Sequence, residues 1–107
     1  MINGVPTFVN PAQLPVYTHT GDSVDTSICT GVPSAAPTSG CLHAWPPVIA
    51  PAGALPSPWT SFTRPDTGML QLEYKGQPLY TFIHDSADTS AGNGITAGGG
   101  TFELALP

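Results

Sequence analysis

Residues 15–27 read PVYTHTGDSVDTS and residues 78–90 read PLYTFIHDSADTS, and at an offset of 63, without a gap, they coincide at 8 of 13 positions. Within so short a window such agreement indicates an internal duplication. A solenoid needs about three or more copies to bury a continuous core. Two copies therefore predict a pair of related β units that share one core.

The second copy sits in the strongest strand signal of the chain. Leu70, Leu72 and Tyr74 alternate with Met69, Gln71, Glu73 and Lys75, the period of a strand with one buried face, here expected to be the leucine and tyrosine face. Tyr80, Phe82 and His84 alternate with Leu79, Thr81 and Ile83, so a second strand is expected to run through His84 with apolar groups on both sides. Lys75-Gly76 leaves the two-residue gap of a tight hairpin, and Gly76 supplies the positive φ that such turns need. Pro78 opens its strand, where a missing N–H is tolerated.

A chain of 107 residues supports one domain with one modest core. We expect a small all-β antiparallel domain over 1–107, with repeat 1 at about 5–49, a linker at about 50–58 and repeat 2 at about 59–107. Gly and Pro total 25 residues. The 40 % hydrophobic content, with regularly placed aromatics, still argues for a folded, loop-rich chain. Net charge is −5, and Arg64 and Lys75 are the only permanent cations, so phosphate backbones and anionic membranes repel it. Nucleic acid is excluded as a partner. No apolar run approaches the roughly 18 residues of a transmembrane helix. Met1-Ile2-Asn3 leads directly into strand-like sequence, without a signal peptide. Export then implies a removed leader or a partner, and membrane association only through a removed lipid anchor or that partner.

In chain order, Val5–Val9 and Leu14–His19 read as a hairpin turned at Asn10-Pro11. Asp22 and Asp85 each open a D-S-x-D-T-S turn, where Asp, Ser and Thr side chains bond their own backbone. Cys29 and Cys41 bracket a Pro/Ser/Gly-rich loop at Thr30–Gly40. In an exported chain they most simply form one disulfide. Trp45 before Pro46-Pro47 reads as an anchor packed beside it. Ala50–Pro58 is a Pro/Ala linker, and Trp59–Phe62 a short strand. Arg64 and Asp66 read as a local ion pair in the turn before Met69. Thr101–Leu106 closes the chain as a strand. Gly92–Ala97 fits G-x-G-x-x-A only superficially, since Gly98-Gly99-Gly100 cannot start the helix that a dinucleotide site requires.

Chemistry-bearing residues are few. Cys41, His43, Met69 and His84 are the candidates for a metal centre, although their spacing fits no established ligand pattern and an oxidised Cys29–Cys41 pair would remove the thiolate. His84, Asp85 and Ser86 are neighbours in sequence. No nucleophile elbow or carboxylate pair is present, so the expectation is no enzyme and no cofactor. The expected function is a non-catalytic extracytoplasmic binding or structural module, an accessory subunit of a periplasmic or cell-surface assembly with another protein as partner. The alternative is a metal-binding or electron-transfer-associated periplasmic protein using Cys, His and Met.

Taken together, Tyr17 to Asp22, Cys29, Cys41-Leu-His-Ala-Trp45-Pro-Pro47, Arg64 to Gly68, Gln71, Tyr74, Gly76, Pro78-Leu-Tyr80, Phe82, Asp85 and Gly92 onward resemble a family of small secreted repeats, described as lipoproteins with a Y-x-(F/W/Y)-x-x-D motif. The sequence departs from that pattern at His19, where an aromatic is expected, and in the wider spacing of its cysteines. It also departs in the insertion between Asp66 and Gly68 and in Phe102, which replaces a terminal Trp. The resemblance implies export and a compact β fold, and no established activity. It makes Tyr17, Asp22, Trp45, Tyr74, Gly76, Tyr80, Phe82 and Asp85 the structural motif residues.

Overall fold

The computed structural model describes residues 8, 14–24, 26–29, 41–51, 53–64, 68–86, 89–97 and 99–105. Most of the expected Val5–Val9 strand and its Asn10-Pro11 turn, the loop Thr30–Gly40, Asp66, Asp88 and Leu106 lie outside these residues. The elements are β1 (Tyr17–His19), a single helical turn α1 (Cys41–Ala44), β2 (Trp59–Thr63), β3 (Leu70–Tyr74), β4 (Gln77–Pro78), β5 (Thr96–Ala97) and β6 (Gly100–Leu104). They form two antiparallel three-stranded sheets, ordered β1-β6-β5 and β2-β3-β4. The protein is a small all-β antiparallel domain with a radius of gyration of 12.7 Å.

The central hairpin forms where the sequence places it. Tyr74 pairs with Gln77 across a two-residue turn, in which Lys75 and Gly76 have φ of 51° and 77°. Both values are positive, as the mirror-image hairpin turns require. The glycine-rich C-terminal run makes a second hairpin between β5 and β6, with Thr96 opposite Thr101. Positive φ at Gly99 fits its position in that turn.

Two expectations need correction. The strand through His84 is much shorter: β4 ends at Pro78, Tyr80 makes single-residue bridges, and residues 83–84 turn. The cause is local. Thr81 N–H reaches the Pro46 carbonyl, but Pro46 and Pro47 have no N–H to return, and Asp85 N–H closes a turn onto Phe82. Secondly, β3 is inverted relative to its pattern. Gln71 and Glu73 are 0 % exposed, whereas Leu70, Leu72 and Tyr74 are half-buried.

Arg64 explains the inversion. It is 1 % exposed, and its expected pairing with Asp66 lies outside the described residues. Its Nη1 donates to Gln71 Oε1 (2.6 Å) and its Nη2 to the Cys29 carbonyl (2.8 Å). Gln71 Nε2 in turn donates to the Leu79 carbonyl (2.8 Å), and Thr60 Oγ1 donates to Glu73 Oε1 (3.0 Å). Polar groups enter an interior when their bonds are satisfied there. Ala50, at the expected start of the linker, is buried and donates to the Leu70 carbonyl.

Two apolar clusters fill the interior. One gathers Tyr17, Cys29, Trp45, Tyr80 and Phe102. The other gathers Val16, Leu79 and Ala105, with Phe8, Val48, Trp59, Leu72 and Tyr74 packed against it.

Candidate functional site

The two copies of the repeated segment meet each other. Tyr17 N–H donates to the Tyr80 carbonyl (2.7 Å), and Tyr80 N–H to the Tyr17 carbonyl (2.9 Å). Their side chains cross over. Tyr17 Oη donates to Asp85 Oδ2 (2.6 Å), and Tyr80 Oη to Asp22 Oδ2 (2.5 Å). Each aspartate then closes its own turn, Asp22 Oδ1 accepting from Ile28 N–H (2.8 Å) and Asp85 Oδ1 from Ala91 N–H (2.7 Å). Both turns span six residues. A charged acceptor makes such bonds stronger than neutral ones.

Burial is the main reason that both tyrosine hydroxyls hold their protons well above the ordinary value. The bond to Asp85 and its charge add to the effect at Tyr17, and the bond to Asp22 and its charge at Tyr80. The aspartate–tyrosine pairs therefore act as fixed latches at neutral pH.

Trp45 and Phe102 lie between the latches, their rings parallel within 4° at 3.6 Å between centroids. Each is capped from outside, Trp45 by Phe82 at 4.4 Å and Phe102 by His19 at 4.4 Å. Tyr17 meets Trp45 edge-on at 5.3 Å, and Tyr80 meets Phe102 edge-on at 5.4 Å. His19 thus fills the aromatic slot that the motif assigns to that position, with its Nδ1 turned to Asp22 Oδ1 (3.3 Å). Edge-on and stacked rings favour each other beyond simple burial.

Cys29 and Cys41 are joined, with Cα atoms 5.2 Å apart, and pack in the same cluster as Trp45. Cys41 is thereby spent as a thiolate ligand. Met69 is half-buried, and His84 is exposed, edge-on to Phe82 at 5.2 Å; the His43 side chain lies outside the described ones. Among the described residues no group of three or more His, Cys, Asp or Glu is placed to hold a metal ion. Tyr74 packs with Phe8 and Trp59 and walls a shallow cleft of about 240 Å³ with Thr18, Gln77 and Glu103.

One further feature escaped the sequence. Pro58–Lys75 and Arg64–Met69 bonds set the alternation of the β2/β3 pair, so Thr60 and Phe62 face β3. The N–H and C=O groups of Ser61 and Thr63 point outward. No described residue pairs with them. This edge carries neither charge nor proline within Trp59–Thr63.

Residues 61–100 match a family described as a secreted repeat of unknown function. That match supports an extracytoplasmic location. No curated protein and no solved structure matches the chain. Among the described residues, no helix is long and apolar enough to cross a membrane.

Proposed function

We propose that the protein is a non-catalytic extracytoplasmic module that acts by binding another protein, as an accessory subunit of a periplasmic or cell-surface assembly. The observation that carries this reading is the outer edge of β2, whose outward N–H and C=O groups no described residue pairs. Natural sheet edges are blocked by charge, proline or bulges, and a plain, uncharged edge is a template for an added strand. The groups that would otherwise do chemistry are committed inward. Tyr17, Tyr80, Asp22 and Asp85 hold each other, and Arg64 is spent on Gln71 and Cys29. The secreted character of the matched family supports the location.

Ser61→Pro tests the reading. Proline is tolerated where its missing N–H faces outward, so the fold survives, but an incoming strand loses one donor and meets the ring. Crosslinking and copurification from the native source should recover a stoichiometric partner with the unaltered protein and lose it with Ser61→Pro at unchanged melting temperature. Equal recovery by both forms would remove the sheet edge as the contact. A wild-type protein that remains free of any partner would remove the proposal.

A further inference from the structure

The order of strands in space departs from their order in the chain. Residues 16–20 bond residues 101–105: Ala105 N–H donates to Val16 C=O, and Thr20 N–H to Thr101 C=O. Residues 79–83 bond residues 44–48 in the same way: Val48 N–H donates to Leu79 C=O, and Ile83 N–H to Ala44 C=O. The third strand obeys the same rule. Val16 and Leu79 donate to Phe8 and Leu72 carbonyls, while Phe8 and Leu72 donate to Ala105 and Val48 carbonyls. Residues 44–48, from the first half of the sequence, therefore complete the sheet of the second half. Residues 101–105, from the second half, complete that of the first.

The side chains repeat this exchange. Trp45 covers Phe82, Phe102 covers His19, and each latch takes its tyrosine from one half and its aspartate from the other. Every one of these contacts has a counterpart about 57 to 64 residues away with its roles reversed, the pattern of a two-fold related pair. We infer that the chain is a strand-exchanged dimer of one repeat, fused through residues 51–58, and that the surface each half presents is an interaction site for a further copy of the same repeat.

Two chains can then trade halves, repeat 1 of one copy closing on repeat 2 of the other. Nothing covalent prevents it. The Cys29–Cys41 bond lies within the first half, and the connection is largely exposed, with open space at Gly53. Exchange of identical elements reuses contacts that already exist, so it needs no new interface. The partner is a second copy of this chain, held by the tyrosine–aspartate and Trp45–Phe102 contacts and not by the β2 edge. Failure of the Ser61→Pro experiment therefore leaves it standing.

The test uses two full-length variants, one Tyr17→Phe with Asp22→Ala, the other Tyr80→Phe with Asp85→Ala. Each lacks both latches in its own fold. A half-swapped heterodimer, however, unites an intact repeat 1 with an intact repeat 2 and regains both. When the two are unfolded and refolded together with disulfides intact, light scattering and mass spectrometry should find a species of twice the chain mass containing one of each, absent from either variant refolded alone. It should melt above both. Only monomers, melting as the separate variants do, would overturn the inference. Should neither variant refold, the wild-type chain decides. Its dimer fraction after refolding should climb as the concentration approaches the roughly millimolar effective concentration of a short linker, and a monomer throughout would overturn it.

Discussion

The two halves solve one geometric problem with different materials. In the first, Tyr80 reaches Asp22 beside Ser27 and His19, and Cys29 ties the following loop to Cys41. In the second, Tyr17 reaches Asp85 beside Thr89 and accepts from Gly92 N–H (3.2 Å). Gly92 stands where the first copy has Cys29, 63 residues earlier. A Cβ there would lie 2.6 Å from the Trp45 ring and 3.0 Å from Phe82. One half is held by a covalent staple, and the other by the close approach of an indole that only a glycine permits. The latch is common to both halves, while the means of fixing the loop behind it differs.

The largest expected effect breaks what the halves have in common. Trp45→Ala removes the ring stacked between Phe82 and Phe102 and should cost about 3–5 kcal/mol, the usual range for a buried large aromatic. Phe102→Ala should come close to it, read as paired denaturant midpoints. If one loss is negligible, the stack is not shared between the halves.

Next is the staple, which touches one half alone. Replacing Cys29 and Cys41 together by Ala should lower stability by about 3 kcal/mol for a loop of this length. Amide exchange should rise around Asp22–Ile28 more than around Asp85–Ala91. Uniform acceleration would show that the covalent link serves both halves equally.

The smallest effect separates the latches. Tyr17→Phe and Tyr80→Phe should each cost about 2 kcal/mol, since each leaves a carboxylate without its donor. Tyr17→Phe also deprives the Gly92 N–H of its acceptor. Both hydroxyls titrate above their unfolded value of about 10. Their contribution is therefore fully present below about pH 10 and is lost as the pH rises from there toward the folded values. Melting temperatures from pH 8 to 12 should fall more steeply for the wild-type protein than for the double Phe variant. Parallel curves would show that the latches do not titrate with folding.

What the sequence made legible was local. Lys75-Gly76 announced its turn because a two-residue hairpin demands positive φ there, and the cysteine pair announced its bond because only two thiols exist. The β run at the C-terminus showed in the alternation of Phe102 and Leu104. The repeated motif drew attention to Tyr17, Tyr80, Asp22 and Asp85, and the two aspartates accept from Ile28 and Ala91 N–H in the turns that follow them. It could not show that their second oxygens serve the opposite copy, because those contacts span 58 and 68 residues. Periodicity also failed on β3. Alternation marks which residues share a face, but which face is wet depends on Arg64 reaching Gln71 and Cys29, 7 and 35 residues away. The shortened second strand followed from Pro46 and Pro47, whose missing donors matter only once they are its neighbours.

The burial of Arg64 also governs how the chain meets peptidases that cut after basic residues. Arg64 and Lys75 are the whole basic complement. Arg64 is enclosed and is followed in sequence by Pro65, which such enzymes reject. Lys75 is exposed but curled into a turn with φ of 51°, whereas cleavage clefts require an extended substrate. The folded protein thus leaves a trypsin-like enzyme one reachable bond, already bent the wrong way.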